Sequence, residues 1–282
     1  MAGTLLLVAT PIGNLEDITL RALRALREAD LIAAEDTRRT AKLLSHFGIA
    51  TKTVSLHEHN ERRKMSALLD RVRTGATIAV VSDAGMPVIS DPGAELIREA
   101  IASGVKVEIV PGASALTMAI AGASVDADLT TFAGFPPSRP SERRRWLEDL
   151  TRLPGALVLF EAPHRLRQTL EDLQTVFGDR LIVVAHELTK LHESWHRGTP
   201  GQLLADPGLP ERGEFTLVIG PGTKAIETPA TPDSETVWHE FGRLTKNGGR
   251  TRKEAIAELA GRYRLPKREV YALVEAAKDS GE

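Results

Sequence analysis

Short apolar runs alternate along this chain with stretches whose apolar residues recur every three or four positions. "TLLLVA", from Thr4 to Ala9, is followed by "DITLRALRALREADL", apolar at helical spacing. The same beat continues through "LIAAE", "TRRTAKLLSHFG", "TKTVSL", "NERRKMSALLDRVRTG", "ATIAVVSD", "DPGAELIREAIASG", "KVEIVPG" and "ASALTMAIAGA". Strand–helix alternation of this kind predicts a largely parallel, helix-covered sheet. The turns after its strands are where such sheets bind ligands.

From Asp126 the beat changes. "TTFAGF", "GALVLFEA", "RLIVVAHELT", "HESWHRGT" and "GEFTLVIGP" read as strands. "SRPSERRRWLEDLTRL", with an exposed Arg-rich face, and "HRLRQTLEDLQTVFG" read as helices. Strands crowded late in the region predict a mixed sheet. "TKAIETPATPDSE" is proline-rich without an apolar period and reads as a linker. Three short helical patterns follow. Thr251 and Glu254 supply a capping box for the second, and Pro266 opens the third. A short helix, a tight turn and another helix predict a helix-turn-helix-like module. The expected class is α/β: two α/β domains flanking a cleft, at 1–124 and 125–225, and a helical appendage at 235–282.

The 282 residues suffice for that organisation, and the absence of cysteine removes disulfides and thiolate chemistry. No apolar run approaches a membrane span, so a soluble, cytoplasmic protein is expected. The net charge of −2 is unevenly spread: residues 243–278 hold ten Lys or Arg and four Asp or Glu, a local +6 on a body of −8. A basic end on an acidic body suits a polyanion partner. A solvated helical surface reads nearly as well.

The stretch "VSDAGMPVISDPGAEL" joins a strand to a helix. Asp91 is placed to cap that helix, with Pro92 in its first turn. Asp83 has no such task and is the better functional candidate. A phosphate cradle offers backbone N–H groups, glycines and a lysine; this loop offers two carboxylates and no base. It would repel phosphate and suit hydroxyls or positive charge. S-adenosylmethionine, with its ribose, ammonium and sulfonium, is one such ligand; the loop's charge excludes phosphate more firmly than it selects among the rest. "TPIGN" and "VPGASAL" are turns entering helices, with Asn14 or Asp17 as a cap in the first. "AAEDTRRT" places Glu35, Asp36 and Arg38 after the second strand, where a helix cap and an ion pair are the plain reading. "SLHEHNE" places His57, Glu58 and His59 after the third, with no further ligand at metal-site spacing. "FEAPHRL" and "AHELTKLHE" add Glu161, His164, Arg165, Glu187 and Lys190. No Walker loop, lipase elbow or zincin motif is present.

Taken together, "LVATPIGNLEDITLRAL", "IAAEDTR", "LHEHNE", "VSDAGMPVISDPG", "VPGASA", "FEAPHR", "ELTKLHE" and "GEFTLVIG" resemble the bacterial small-subunit ribosomal RNA (cytidine-2′-O-)-methyltransferases I, a branch of the tetrapyrrole methylase superfamily. The likeness covers roughly 4–222. It implies a tetrapyrrole-methylase-like fold, S-adenosylmethionine in the cleft, methyl transfer to a cytidine 2′-oxygen of 16S ribosomal RNA in the small subunit, and a homodimer. Carried over by motif, the cofactor contacts would be Pro11, Ile12, Gly13, Asn14, Asp83, Ala84, Gly85, Met86, Ser114, Ala115, Glu161, Ala162, Leu188, Glu214, Phe215 and Thr216. Members that methylate corrin precursors usually carry Gly-x-Gly-Pro-Gly after the first strand; Thr10-Pro11-Ile12-Gly13-Asn14 stands here, which favours the RNA branch.

For the proton of a ribose hydroxyl, Asp36 and Glu58 are the first candidates, ahead of Glu35, His57 and Lys190. RNA would be held by Arg38, His57, Arg165 and Lys190, and by Arg250, Arg252, Lys253, Lys267 and Arg268 of the basic end. No metal is required. The competing readings are a tetrapyrrole or other small-molecule methylase and a non-catalytic RNA-binding protein.

Overall fold

The computed structural model describes residues 3–57, 60–222, 234–247, 249–263 and 265–279. The chain divides into two units, Met1–Gly222 and Thr223–Glu282.

The first unit holds two five-stranded sheets. One is built from β1 (Thr4–Val8), β2 (Leu31–Ala34), β3 (Thr53–Ser55), β4 (Thr77–Val81) and β5 (Lys106–Val110), in the order β3-β2-β4-β1-β5. Every pair is parallel, with Leu5 opposite both Ile78 and Val107. The central strands are buried along almost their whole length, which is why they read as unbroken apolar runs. Helices α1 (Leu20–Glu28), α2 (Thr37–His46), α3 (Glu61–Arg73) and α4 (Ala94–Ala102) are the intervening elements. Apolar clusters lie on both faces of the sheet, one around Leu26, Ile32 and Leu44, the other around Leu69, Ile78 and Leu96.

The second sheet comprises β6 (Thr130–Gly134), β7 (Ala156–Glu161), β8 (Ile182–His186), β9 (Ser194–Gly198) and β10 (Phe215–Ile219), ordered β6-β7-β10-β8-β9. Only β6 and β7 run parallel; the other pairs are antiparallel, so the sheet is mixed. Helices α6 (Pro140–Leu150), α7 (Leu166–Phe177) and α8 (Pro200–Ala205) cover one face around Leu147, Leu159 and Leu170. Helix α5 (Ala115–Ala123) leaves the first sheet and packs on β8 and β10 of the second. Its Ala119 and Ala123 join Ile12, Val158 and Val218 in a buried cluster. That shared cluster fixes the two sheets relative to each other.

The second unit contains α9 (Ser234–Gly242), one π-helical turn at Arg243–Asn247, α10 (Arg252–Tyr263) and α11 (Lys267–Asp279). It has a core of its own around Val237, Phe241, Leu259, Val270 and Val274. Thr251 and Glu254 form the expected reciprocal cap. Pro266 stands just before α11, and its carbonyl accepts from the Glu269 and Val270 N–H groups. The linker proposed from its prolines lies mostly outside the described residues.

Local expectations fail in four places. Asp91 does not cap α4. Gly93 does, at φ +112°, a conformation that glycine adopts without a Cβ penalty, and this leaves Asp91 two residues outside the helix. The orphan donors are satisfied from a distance by buried Glu61, whose carboxylate accepts from the Gly93 and Leu96 N–H groups at 3.2 and 2.8 Å. Asp83 does have a structural task, since its Oδ1 accepts from the Asp36 N–H at 3.0 Å. Near the N-terminus Asn14 caps a single 3-10 turn, and Thr19 rather than Asp17 caps α1. On α6 the Arg-rich face is not wholly exposed: Arg143 is buried against Asp172 at 2.7 Å.

Candidate active site

Between the two sheets lies a cavity of about 380 Å³, within the range of small-molecule sites. Its floor is set by the ends of β1 and β4. Thr10 and Gly85 exchange both backbone hydrogen bonds, at 2.8 and 3.1 Å, which pins the "VSDAG" turn against the "ATPIG" turn. From the first sheet the lining takes Ile12, Glu35, Arg39, Asp83, Ala84, Gly85, Met86, Ile89, Ser90 and Asp91, with Ser114, Ala115 and Leu116 from the entry to α5. The second sheet contributes Phe135, Phe160, Glu161, Ala162, Pro163, Gly213, Glu214, Phe215 and Thr216.

The cavity therefore gathers Ile12, Asp83 to Met86, Ser114, Ala115, Glu161, Ala162, Glu214, Phe215 and Thr216 of the expected cofactor set. Pro11 and Gly13 line an adjoining recess that shares Ile12, Arg39, Asp83, Ala84 and Glu214. Asn14 and Leu188 line neither. Instead the Asn14 N–H donates to Thr189 Oγ1 at 3.0 Å, and Leu188 is buried in the apolar cluster with Ile12. A Cβ on Gly13 would lie 2.4 Å from the Lys190 side chain and 3.0 Å from the Leu188 carbonyl. The "ELTK" loop is itself strained, with Glu187 and Thr189 at φ +50° and +66°.

The electrostatics are those of an acidic recess. Glu35, Asp83 and Asp91 face it, with one arginine, Arg39, ion-paired to Asp83 at 3.3 Å. The Asp83 N–H also donates to Glu35 Oε2 at 3.2 Å, so the two loops are tied through carboxylates. Burial, then the neighbouring Glu35 and Asp83, push Asp91 up to about 6 against the downward pull of Ser82. On the far wall Glu161 is buried, held by Arg165 at 2.6 Å, by Thr169 and by the Ala162 N–H.

The remaining candidates fall elsewhere. Asp36 caps α2 and chelates the Arg38 guanidinium at 2.8 Å. Hydrogen bonds from Arg38 hold its carboxyl well below the usual carboxylate range, which makes it a poor proton acceptor, and it does not line the cavity. Glu58 lies outside the described residues. Arg38 is exposed and paired with Asp36. Arg165 is not a surface cation: its side chain is 15 % exposed and committed to Glu161 and the Pro136 carbonyl. Lys190 does line the adjoining recess, where it bridges Glu187 and Glu214, and that pairing outweighs the burial that opposes its charge. His57 holds Asn60 through its backbone N–H and its ring. In the second unit Arg250 and Arg252 pair with Glu258 and Glu275, while Lys253, Lys267 and Arg268 are exposed. Sequence reasoning did not single out Ile89, Phe135 or Phe160, because an apolar residue in a loop or at a strand end carries no signature of a cavity, nor Ser90, because a serine in a turn is unremarkable.

A family profile for the Tetrapyrrole (Corrin/Porphyrin) Methylases matches residues 4–204, the segment that builds both sheets up to β9. The chain belongs to that family. It is 44 % identical over 276 residues to the Ribosomal RNA small subunit methyltransferase I of Halalkalibacterium halodurans, covering 95 % of this chain and 93 % of that one. It is 43 % identical to the protein of the same name from Synechocystis, covering 96 % and 97 %. A third, from Thermotoga maritima, is 45 % identical over 218 residues, which are 77 % of this chain and 98 % of that one. Among solved structures, uroporphyrin-III C-methyl transferase from Thermus thermophilus, complexed with S-adenyl homocysteine, superposes with a TM-score of 0.57 at 18 % identity, covering 77 % of this chain and 97 % of that one. Diphthine synthase gives 0.58 at 18 %, covering 77 % and 90 %. These two share the fold.

Proposed function

We propose that the chain is an S-adenosylmethionine-dependent methyltransferase of small-subunit (16S) ribosomal RNA, acting on a cytidine ribose 2′-oxygen. The observation that carries the reading is a carboxylate-lined cleft in a chain more than 40 % identical, over nearly its whole length, to proteins named for ribosomal RNA methylation. The lining suits the cofactor's chemistry. Glu35 and Asp83 would accept from ribose hydroxyls or an ammonium group. Ile12, Ala115, Leu116 and Phe215 offer an apolar wall to a flat base, with Thr216 as a polar partner. When bound, the cofactor would supply a methyl group already activated on a sulfonium.

The protein's task is then to orient a ribose hydroxyl and accept its proton. A hydroxyl is a weak nucleophile at neutral pH, and a positioned base whose pKa lies near the working pH is the effective acceptor. Asp91 meets that description better than Asp36: it lines the cavity, and its pKa of about 6 leaves it ionised yet basic near neutrality. We assign it that role. The exposed cations of the second unit would add RNA affinity through phosphate neutralisation. We further propose a homodimer and a cytoplasmic location; no helix among the described residues is long and apolar enough to cross a membrane. Titration calorimetry with S-adenosylmethionine tests the first half of the reading. No binding to the folded protein would refute it, and binding without methyl transfer to ribosomal RNA would refute the second half.

A further inference from the structure

The mouth of the cavity differs in character from its acidic floor. Ile89 is 43 % exposed and Phe135 52 % exposed, and both line it. This exposure is built into the backbone. Ile89 sits between Val88 and Ser90, at φ +77° and +65°, two non-glycine residues in the left-handed region. For a β-branched residue that is an outlier which the surrounding structure must impose. Phe135 follows Gly134, where an added Cβ would lie 3.6 Å from Ser90 Oγ. The turn after β6 and the loop after β4 thus meet across the cleft and set both apolar side chains on one rim.

The rim is braced from behind. The Phe135 ring leans on Phe160, with centroids 5.6 Å apart. Pro136 is buried, and its carbonyl accepts from Arg165 at 3.1 Å. Arg165 is in turn fixed on buried Glu161. A buried ion pair therefore holds in place an aromatic residue that leaves about half its surface in water.

We infer that Phe135 and Ile89 form the platform on which the target nucleotide's base stacks, turned out of its RNA strand, while its ribose enters the acidic cavity. The inference rests on the ribosomal RNA reading above. A sugar inside a stacked strand cannot reach a recess between two sheets, so the nucleotide must be extruded. Unstacked bases are received on aromatic side chains. Charge sorts the parts of the nucleotide. Glu35, Asp83 and Asp91 repel phosphates and admit the uncharged sugar, while Arg39, 63 % exposed on the same cavity, would meet the strand outside.

The test compares wild type with Phe135→Ala, Phe135→Trp and Ile89→Ala. Readouts are methyl transfer to undermethylated small ribosomal subunits and to their free RNA, calorimetric affinity for S-adenosylhomocysteine, and size-exclusion elution. Phe135→Ala should lower kcat/KM for RNA by roughly 10- to 100-fold, the effect of losing one base–aromatic stack. Its S-adenosylhomocysteine affinity and elution should match wild type. Phe135→Trp should restore most of the loss, and Ile89→Ala should show a smaller loss. Wild-type kcat/KM in Phe135→Ala overturns the platform. So does a parallel loss of S-adenosylhomocysteine affinity, which would give the ring to the cofactor, or a changed elution volume, which would give it to a contact between copies. Wild-type protein that binds S-adenosylhomocysteine but methylates neither RNA preparation overturns the ribosomal RNA reading, and the platform with it.

Discussion

Replacing Asp91 by asparagine should stabilise the fold and cripple the enzyme at once. The carboxyl sits in the cavity with Glu35 and Asp83, and burial beside those charges raises it from 3.8 to about 6. A raised native-state pKa means that the folded protein binds this proton more tightly than the unfolded chain does. Stability therefore falls as pH rises from the unfolded value toward the folded one, and the penalty is fully present above it. Roughly two units at 1.36 kcal/mol each set an upper bound of about 3 kcal/mol, and solvent screening of this half-buried group lowers the expected figure to about 1–2 kcal/mol. Asp91→Asn removes the charge, so at about pH 8 the variant should unfold at higher urea by up to that amount, and near pH 4 the two proteins should converge. Turnover should fall ~10²-fold or more, the usual contribution of a positioned base. The wild-type rate should rise with pH through about 6 and then level off. Urea melts at both pH values and single-turnover methyl transfer measure the two effects. A variant that loses stability at high pH while retaining its rate would refute the reasoning, because Asp91 would then be a structural hydrogen-bonding group.

Three further outcomes follow from particular contacts. Glu61→Ala should cost about 2 kcal/mol in urea unfolding, because two N–H groups at the start of α4 lose their buried acceptor; a change below about 0.5 kcal/mol would contradict that cap. Gly13→Ala should force the Leu188–Lys190 loop outward, given a built Cβ 2.8 Å from Thr189 Oγ1 and 3.0 Å from the Leu188 carbonyl; S-adenosylmethionine affinity measured by calorimetry should drop, and unchanged affinity would show that the recess lined by Gly13 and Lys190 takes no part in cofactor binding. Truncation after about Thr228 should leave Met1–Gly222 folded, since the second unit carries its own core; cofactor binding should persist while KM for RNA rises, less so at low salt, and an unchanged KM would refute a role for the basic helices.

Periodicity made the architecture legible. Strands such as Leu31–Ala34 and Ile182–His186 are buried on both faces, so their apolar runs are unbroken and hard to mistake. The mixed character of the second sheet showed in the crowding of strands after Ala156. What the sequence hid were choices made across distance. "SDPG" offers Asp91 as a cap, but whether the helix starts after the aspartate or after a left-handed Gly93 depends on Glu61, 32 residues earlier, reaching the same N–H groups. Once Glu61 takes that role, Asp91 is released into the cavity. Arg165 looked like a surface cation because its partner Glu161 lies at the buried end of β7, although the i,i+4 spacing of the pair was there to be read. Phe135 looked like the end of a strand, since exposure on a rim leaves no mark in a hydropathy pattern.

The central claim is methyl transfer from S-adenosylmethionine to a ribose oxygen of small-subunit ribosomal RNA. It is tested most directly by incubating the protein with methyl-labelled S-adenosylmethionine and undermethylated small subunits, digesting the RNA and locating the label. The account predicts label on one cytidine, in an alkali-resistant dinucleotide that marks a blocked 2′-oxygen. Label on a base, or transfer to a porphyrin precursor with none to RNA, would contradict it.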